Sequence, residues 1–115
     1  MAISILQLHG TEDRNVKYEI AEDAITFWID RNQTACSPQV STLPDRVPDI
    51  VLSVENYLHG NGQDETVVEY FKVISGEHDW FGEPGTDKDV DATIEAWRFF
   101  LTIRSQRPNL VTDSF

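Results

Sequence analysis

LQLHGTEDRNVKY, Leu6 to Tyr18, joins an apolar run to a polar turn that carries two carboxylates, and its reading decides the fold. Upstream the run continues as AISILQL, Ala2 to Leu8, an unbroken apolar stretch of the kind found in strands covered on both faces of a parallel sheet. Parallel strands need neighbours, so this stretch predicts a central strand of an α/β sheet. The strand ends at His9-Gly10, and Thr11, Glu12 and Asp13 follow in the turn.

Downstream, YEIAEDAITFWIDR, Tyr18 to Arg31, places Ile20, Ala24, Phe27, Trp28 and Arg31 near helical spacing, with its acids biased toward the favourable N-terminal end. From Asn32 to Asp49 the residues become Pro, Ser, Thr and Asn, and three prolines exclude both a helix and a central strand. Ile50 to Leu58 and Thr66 to Ile74 are β-rich runs joined through HGNGQD, where Gly60 and Gly62 can take positive φ, so an antiparallel hairpin is predicted. After a Gly/Pro/acid loop, Ser75 to Lys88, a second helix is predicted over Asp89 to Arg104. Ile94, Trp97, Phe100 and Leu101 form its stripe, and Asp89 or Asp91 is placed to cap it. Trp28, Trp97, Phe99 and Phe100 are expected in the core, and the tail from Ser105 is expected to fray. The order is β-α-loop-β-β-α in a single domain, residues 1–115.

Composition narrows the function classes. Twenty acidic residues against 9 basic ones give a formal charge of -11, with no basic cluster to override it, which disfavours nucleic acid and anionic membranes as partners. No segment approaches the roughly 20 apolar residues of a membrane span, and Met1 to Gln7 is too short for a secretory signal. Cys36 is the single cysteine; it excludes an internal disulfide and a C-x-x-C motif, and a lone thiol is most simply a small buried side chain. His9 and Glu12 combined with His59 or His78 lack the spacing of a metal set, so no metal or cofactor is expected.

Chemistry in open α/β sheets gathers at loops that follow strand ends. Two such loops stand out, one with His9, Thr11, Glu12 and Asp13, the other with Glu77, His78, Asp79 and Trp80. An aspartate that accepts the N–H of an imidazole fixes its tautomer and makes it a general base for a hydroxyl. Asp13 also suits a plain turn or cap role, and His78 a loop histidine bonded to a carbonyl. The acids around Asp64 and Glu65 read as a solvated hairpin loop.

HGTEDRNVKY, His9 to Tyr18, resembles the H-G-T-x-D-x-x-V-P-Y segment that carries the acid in the polyhydroxybutyrate depolymerase and feruloyl esterase group of α/β-hydrolases, with Lys17 where that group has proline. SGEHDWFG resembles its G-G-x-H-x-W-P-G loop, with Ser75 in place of a glycine and Phe81 in place of the proline, and DKDVDATIEAWRFF resembles its closing helix. The resemblance implies an α/β-hydrolase sheet, Asp13 as triad acid, His78 as triad base, and Trp80 beside the substrate; His9, at the strand end, is expected beside the same site. It also implies an ester substrate, no cofactor, and an extracellular location from the group's usual export. The group often pairs a cysteine at the position of Cys36 with a second near the start of the hairpin loop; YLHGNG holds none, so Cys36 is expected to be free.

None of the seven serines is flanked as in the G-x-S-x-G nucleophile elbow, which in these enzymes precedes the acid. The expectation is therefore the C-terminal part of such a hydrolase, without the N-terminal strands, the elbow and the oxyanion loop. From the interaction class comes a second expectation: a non-catalytic remnant that self-associates, or pairs with a partner, through its exposed Ala2 to Leu8 strand.

Overall fold

The computed structural model describes residues 2–43, 53–78, 81–82 and 90–106. The chain runs β1 (Ile5–Gly10), α1 (Tyr18–Asn32), β2 (Gln39–Thr42), β3 (Ser53–His59), a 3-10 turn (Gln63–Glu65), β4 (Val68–Ile74) and α2 (Ala92–Gln106). The four strands form one mixed sheet in the order β1-β4-β3-β2. β1 pairs parallel with β4 from Ile5↔Val68 to Gly10↔Val73, while β3 runs antiparallel to both β4 and β2.

β4 organises the sheet. Val68 and Tyr70 point to one face and meet Ile25, Trp28 and Ile29 of α1, together with Ile5, Tyr18 and Tyr57. Phe71 and Val73 point to the other, against Val54, Phe81 and Val90, with Leu6 and Leu8 alongside. Because apolar side chains leave both faces of one strand, a helix is needed on each side, and this gives the α/β layering. Glu69, on the α2 face, is paired by Arg98 of α2 at 2.8 Å and by the Asn56 amide at 2.8 Å, so its buried charge is matched by donors from β3 and α2.

The predicted hairpin is present, with β3 and β4 antiparallel from Ser53↔Ile74 to His59↔Val68. Its turn differs from expectation. The left-handed positions are Asn61, Asp64 and Glu65, whereas Gly62 has φ −75°. Gly62 is instead required by space, since a Cβ there would come 2.4 Å from Thr66 Oγ1 and 2.7 Å from Thr34 Cγ2. β2 lies within the proline-bearing stretch that was expected to be loop, as an exposed strand on the outer side of β3. That position is compatible with neighbouring prolines, because an outer strand leaves half its amides unpaired in any case. Residues 44–52, including the start of the predicted Ile50 to Leu58 run, lie outside the described residues.

β1 departs from the central placement read from its sequence. Among the described residues it pairs only with β4, and its side chains from Ile5 to His9 are half-buried.

Both helices are rotated relative to the stripes read from sequence. In α1 the buried side chains are Ala21, Ile25 and Asn32, while Ile20 and Phe27 are exposed. In α2 Ala92 is buried, whereas Ile94, Trp97 and Leu101 lie 63%, 62% and 53% exposed. Trp97 therefore is not a core residue; Trp28, Phe99 and Phe100 are half-buried. Small residues let the helices approach the sheet closely, and a pattern that weights bulk points elsewhere. Asp91 caps α2 through its Oδ1, 3.0 Å from the Ile94 amide, and the helix reaches Gln106, beyond the predicted end at Arg104. Asp89 and residues 107–115 are outside the described set.

Two polar straps complete the α1 face. Asn32, fully buried, accepts the Ile3 N–H at 2.9 Å and donates to the Ile3 carbonyl at 2.6 Å. The His59 Nδ1 is 2.7 Å from the Ala35 carbonyl and the Ala35 N–H donates to the Gly60 carbonyl at 2.8 Å. These bonds join the same two segments that the resemblance would link by a disulfide; Cys36 beside them is free and exposed, contrary to the buried position expected of a lone thiol.

Candidate functional site

β1 and β4 run side by side in the same direction, so the loops that follow them leave the same end of the sheet. Their backbones are stitched together. The Thr11 N–H donates to the Val73 carbonyl at 3.0 Å, and the Glu12 N–H donates to the Gly76 carbonyl at 2.8 Å. The Ser75 N–H donates to the Thr11 hydroxyl at 2.8 Å. Gly10 makes the approach feasible: a Cβ at that position would lie 2.1 Å from the Gly76 carbonyl oxygen. Gly76 in turn has no room for a side chain, since a Cβ would lie 2.6 Å from Val73 Cγ1.

This frame delivers Asp13 to His78. The Asp13 Oδ2 lies 2.8 Å from the His78 Nδ1. Asp13 Oδ1 accepts the backbone N–H groups of Asn15, at 2.9 Å, and Val16, at 2.8 Å. The two roles open to Asp13 from sequence, turn former and imidazole partner, are thus both filled, one by each oxygen. Burial alone would raise the Asp13 carboxyl, but the Val16 amide, the His78 imidazole and the Asn15 amide together outweigh it and hold the group below the usual carboxylate range.

An ionised Asp13 can only accept, so the proton between the two groups sits on His78 Nδ1. The basic lone pair of the neutral ring is then on Nε2. The Asp13 side chain is 4% exposed and that of His78 is 54% exposed, so a dry, doubly anchored acid orients an imidazole that remains accessible. Such an arrangement can take a proton from a hydroxyl or water and stabilise the imidazolium that results.

His9, expected beside the substrate, is the penultimate residue of β1, with its side chain only 10% exposed. Its Nε2 lies 2.8 Å from the Val16 carbonyl and 3.4 Å from Asp13 Oδ2. Trp80 and Asp79 lie outside the described residues. Sequence marks Thr11 only as a member of the loop; its hydroxyl bond to the Ser75 amide is a contact between distant segments that local sequence does not encode.

At two positions where the chain differs from the quoted esterase-group segments, the backbone would also admit the residue those segments carry. Ser75, in place of a glycine, has φ 69°, in the left-handed region. Lys17, in place of proline, has φ −58°, inside proline's narrow range.

Among the described residues no group of three His, Cys, Asp or Glu side chains is placed to hold a metal ion, and no helix is long and apolar enough to cross a membrane. An apolar crevice of about 450 Å³ runs between β1 and α2, lined by Leu6, Leu8, Phe81, Ala92 and Phe99 among others, and neither Asp13 nor His78 contributes to it. Comparison with known proteins finds no family model, no curated protein and no solved structure that matches the chain.

Proposed function

We propose that this chain carries the acid and general base of a serine-type carboxylic ester hydrolase, and forms the C-terminal part of an α/β-hydrolase sheet. The observation that supports it most is the 2.8 Å bond from His78 Nδ1 to a buried carboxylate whose other oxygen is held by two amides. The left-handed Ser75 and the proline-like φ of Lys17 add to it. On this reading Asp13 orients His78, and His78 Nε2 takes the proton of a serine hydroxyl as its oxygen attacks the ester carbonyl. The imidazolium returns the proton to the leaving alcohol, and water repeats the cycle on the acyl-enzyme. No serine of the 115 residues has elbow flanks, so the nucleophile and the oxyanion donors come from a segment outside this sequence. Polyhydroxyalkanoates and feruloyl or other aryl esters are the substrate classes, and export the corresponding location.

The test compares hydrolysis of p-nitrophenyl esters by the 115-residue chain with hydrolysis by a polypeptide extended to include an upstream G-x-S-x-G segment. The expected result is no turnover by the short chain and turnover by the extended one, falling by about 10³-fold or more in His78→Ala. Turnover by the short chain that survives His78→Ala refutes the proposal, as does an extended chain indifferent to both Asp13 and His78.

A second reading is favoured by β1. Its residues, Ile5 to Gly10, include no Lys, Arg, Asp or Glu, it has a single partner among the described strands, and it borders the apolar crevice. Charges and bulges ordinarily guard such edges against association. A remnant that pairs with a second copy through this strand retains Asp13 and His78 without turnover. Sedimentation of a concentration-independent monomer counts against it; a concentration-dependent dimer broken by Leu6→Lys supports it.

A further inference from the structure

We propose that His9 is a positioning residue for the Asp13–His78 pair, holding the acid's turn through a single Nε2–H; the assignment rests on reading that pair as acid and base. The Val16 carbonyl 2.8 Å from His9 Nε2 can only accept a hydrogen bond, so Nε2 carries a proton. Asp13 Oδ2 lies 3.4 Å from that same nitrogen, close enough to feel its N–H dipole and too far for a second full hydrogen bond. Two imidazoles therefore meet one carboxylate through opposite ring nitrogens, Nε2 of His9 and Nδ1 of His78.

The arrangement holds the turn at both backbone polar groups of Val16. Val16 donates its N–H to Asp13 Oδ1 at 2.8 Å and receives the His9 proton on its carbonyl. The carboxylate thus holds the Val16 amide while the imidazole holds the Val16 carbonyl. His9 is itself held, since it pairs within β1 opposite Lys72 of β4 and its ring lies 6.2 Å from that of Tyr18. With Oδ1 occupied by two amides and Oδ2 flanked by two imidazoles, the carboxylate has one orientation, and His78 Nδ1–H has one acceptor. His9 thus acts on the base through the acid, without touching a reacting atom.

The test reads ring nitrogens directly, by two-dimensional ¹H–¹⁵N correlation across the imidazoles of the labelled 115-residue chain at mildly alkaline pH. The expected pattern is a proton on Nε2 of His9 and on Nδ1 of His78, the latter with a low-field proton resonance. His9→Gln, which keeps an N–H donor, retains the His78 pattern. His9→Leu, similar in bulk, loses the low-field resonance and moves His78 toward the Nε2–H tautomer of a free imidazole, while the amide spectrum of β4 stays folded. His9 protonated on Nδ1 in the unsubstituted chain overturns the proposal without recourse to any variant, and so does an unchanged His78 in folded His9→Leu. No ester enters the measurement. A failed hydrolysis test with these tautomers intact removes the catalytic reading alone, and an unaltered His78 removes the positioning role alone.

Discussion

Asp13 holds its charge in a buried position only because three donors reach it, and that dependence has a sign. Its carboxyl lies below the ordinary value of 3.8, so the stability it contributes is fully present above that value and is lost as the pH falls through its lower native one. Acid unfolding followed by tryptophan fluorescence is expected to show a shallower slope in this window for Asp13→Asn than for the unsubstituted chain. At neutral pH the same substitution costs about 1–3 kcal/mol, because a neutral amide accepts less strongly and presents a donor to one of the N–H groups. Ser75 gives a prediction of opposite direction. Its left-handed φ of 69° carries the penalty of a Cβ, and Ser75→Gly removes it, with an expected gain of roughly 0.5–1 kcal/mol in denaturant midpoint analysis after the added freedom of the unfolded glycine is offset. The Asp13–His78 pairing was legible in the letters around each residue, since H-G-T-E-D and G-E-H share their flanks with a known pattern. The His9 to Val16 bond was not, because the closure of one turn by an imidazole depends on backbone path rather than on residue type.

Among the elements, β4 and α2 stand at opposite ends of what a substitution can do. Val68 is fully buried between β1, β3 and α1, and Val68→Ala is expected to cost about 2 kcal/mol from lost burial and the cavity left behind. Trp97, a far larger side chain, packs edge-on to Phe100 and is 62% exposed. Trp97→Gln is expected to change chain stability by no more than about 0.5 kcal/mol. Chemical denaturation of the two variants checks both. The antiparallel pairing of β3 with β4 followed from two β-rich runs, while the outer place of β1, the existence of β2 and the rotation of the helices did not. Ala21 and Ala92 contribute little to a hydrophobic pattern yet face the core, and Ile20, Phe27, Ile94 and Leu101 dominate the pattern yet face outward. Periodicity shows that a helix has an apolar side; the small residues that let it pack are found only in three dimensions.

For the molecule as a whole, the mixed sheet gives β4 a partner on each side and a helix over each face, and gives β2 a partner on one side and four exposed residues. Amide hydrogen exchange is expected to be slowest in β4 and fastest, among the strands, in β2. The point where Gly10 meets Gly76 has a wider effect. Because main chain rests on main chain there, the separation of acid from imidazole is inherited from the sheet and not negotiated by rotamers. Random substitution of this protein should therefore prove intolerant at positions 10 and 76, which carry no chemistry, and lenient at exposed Glu12, Arg14 and Glu77, which lie on the same two loops.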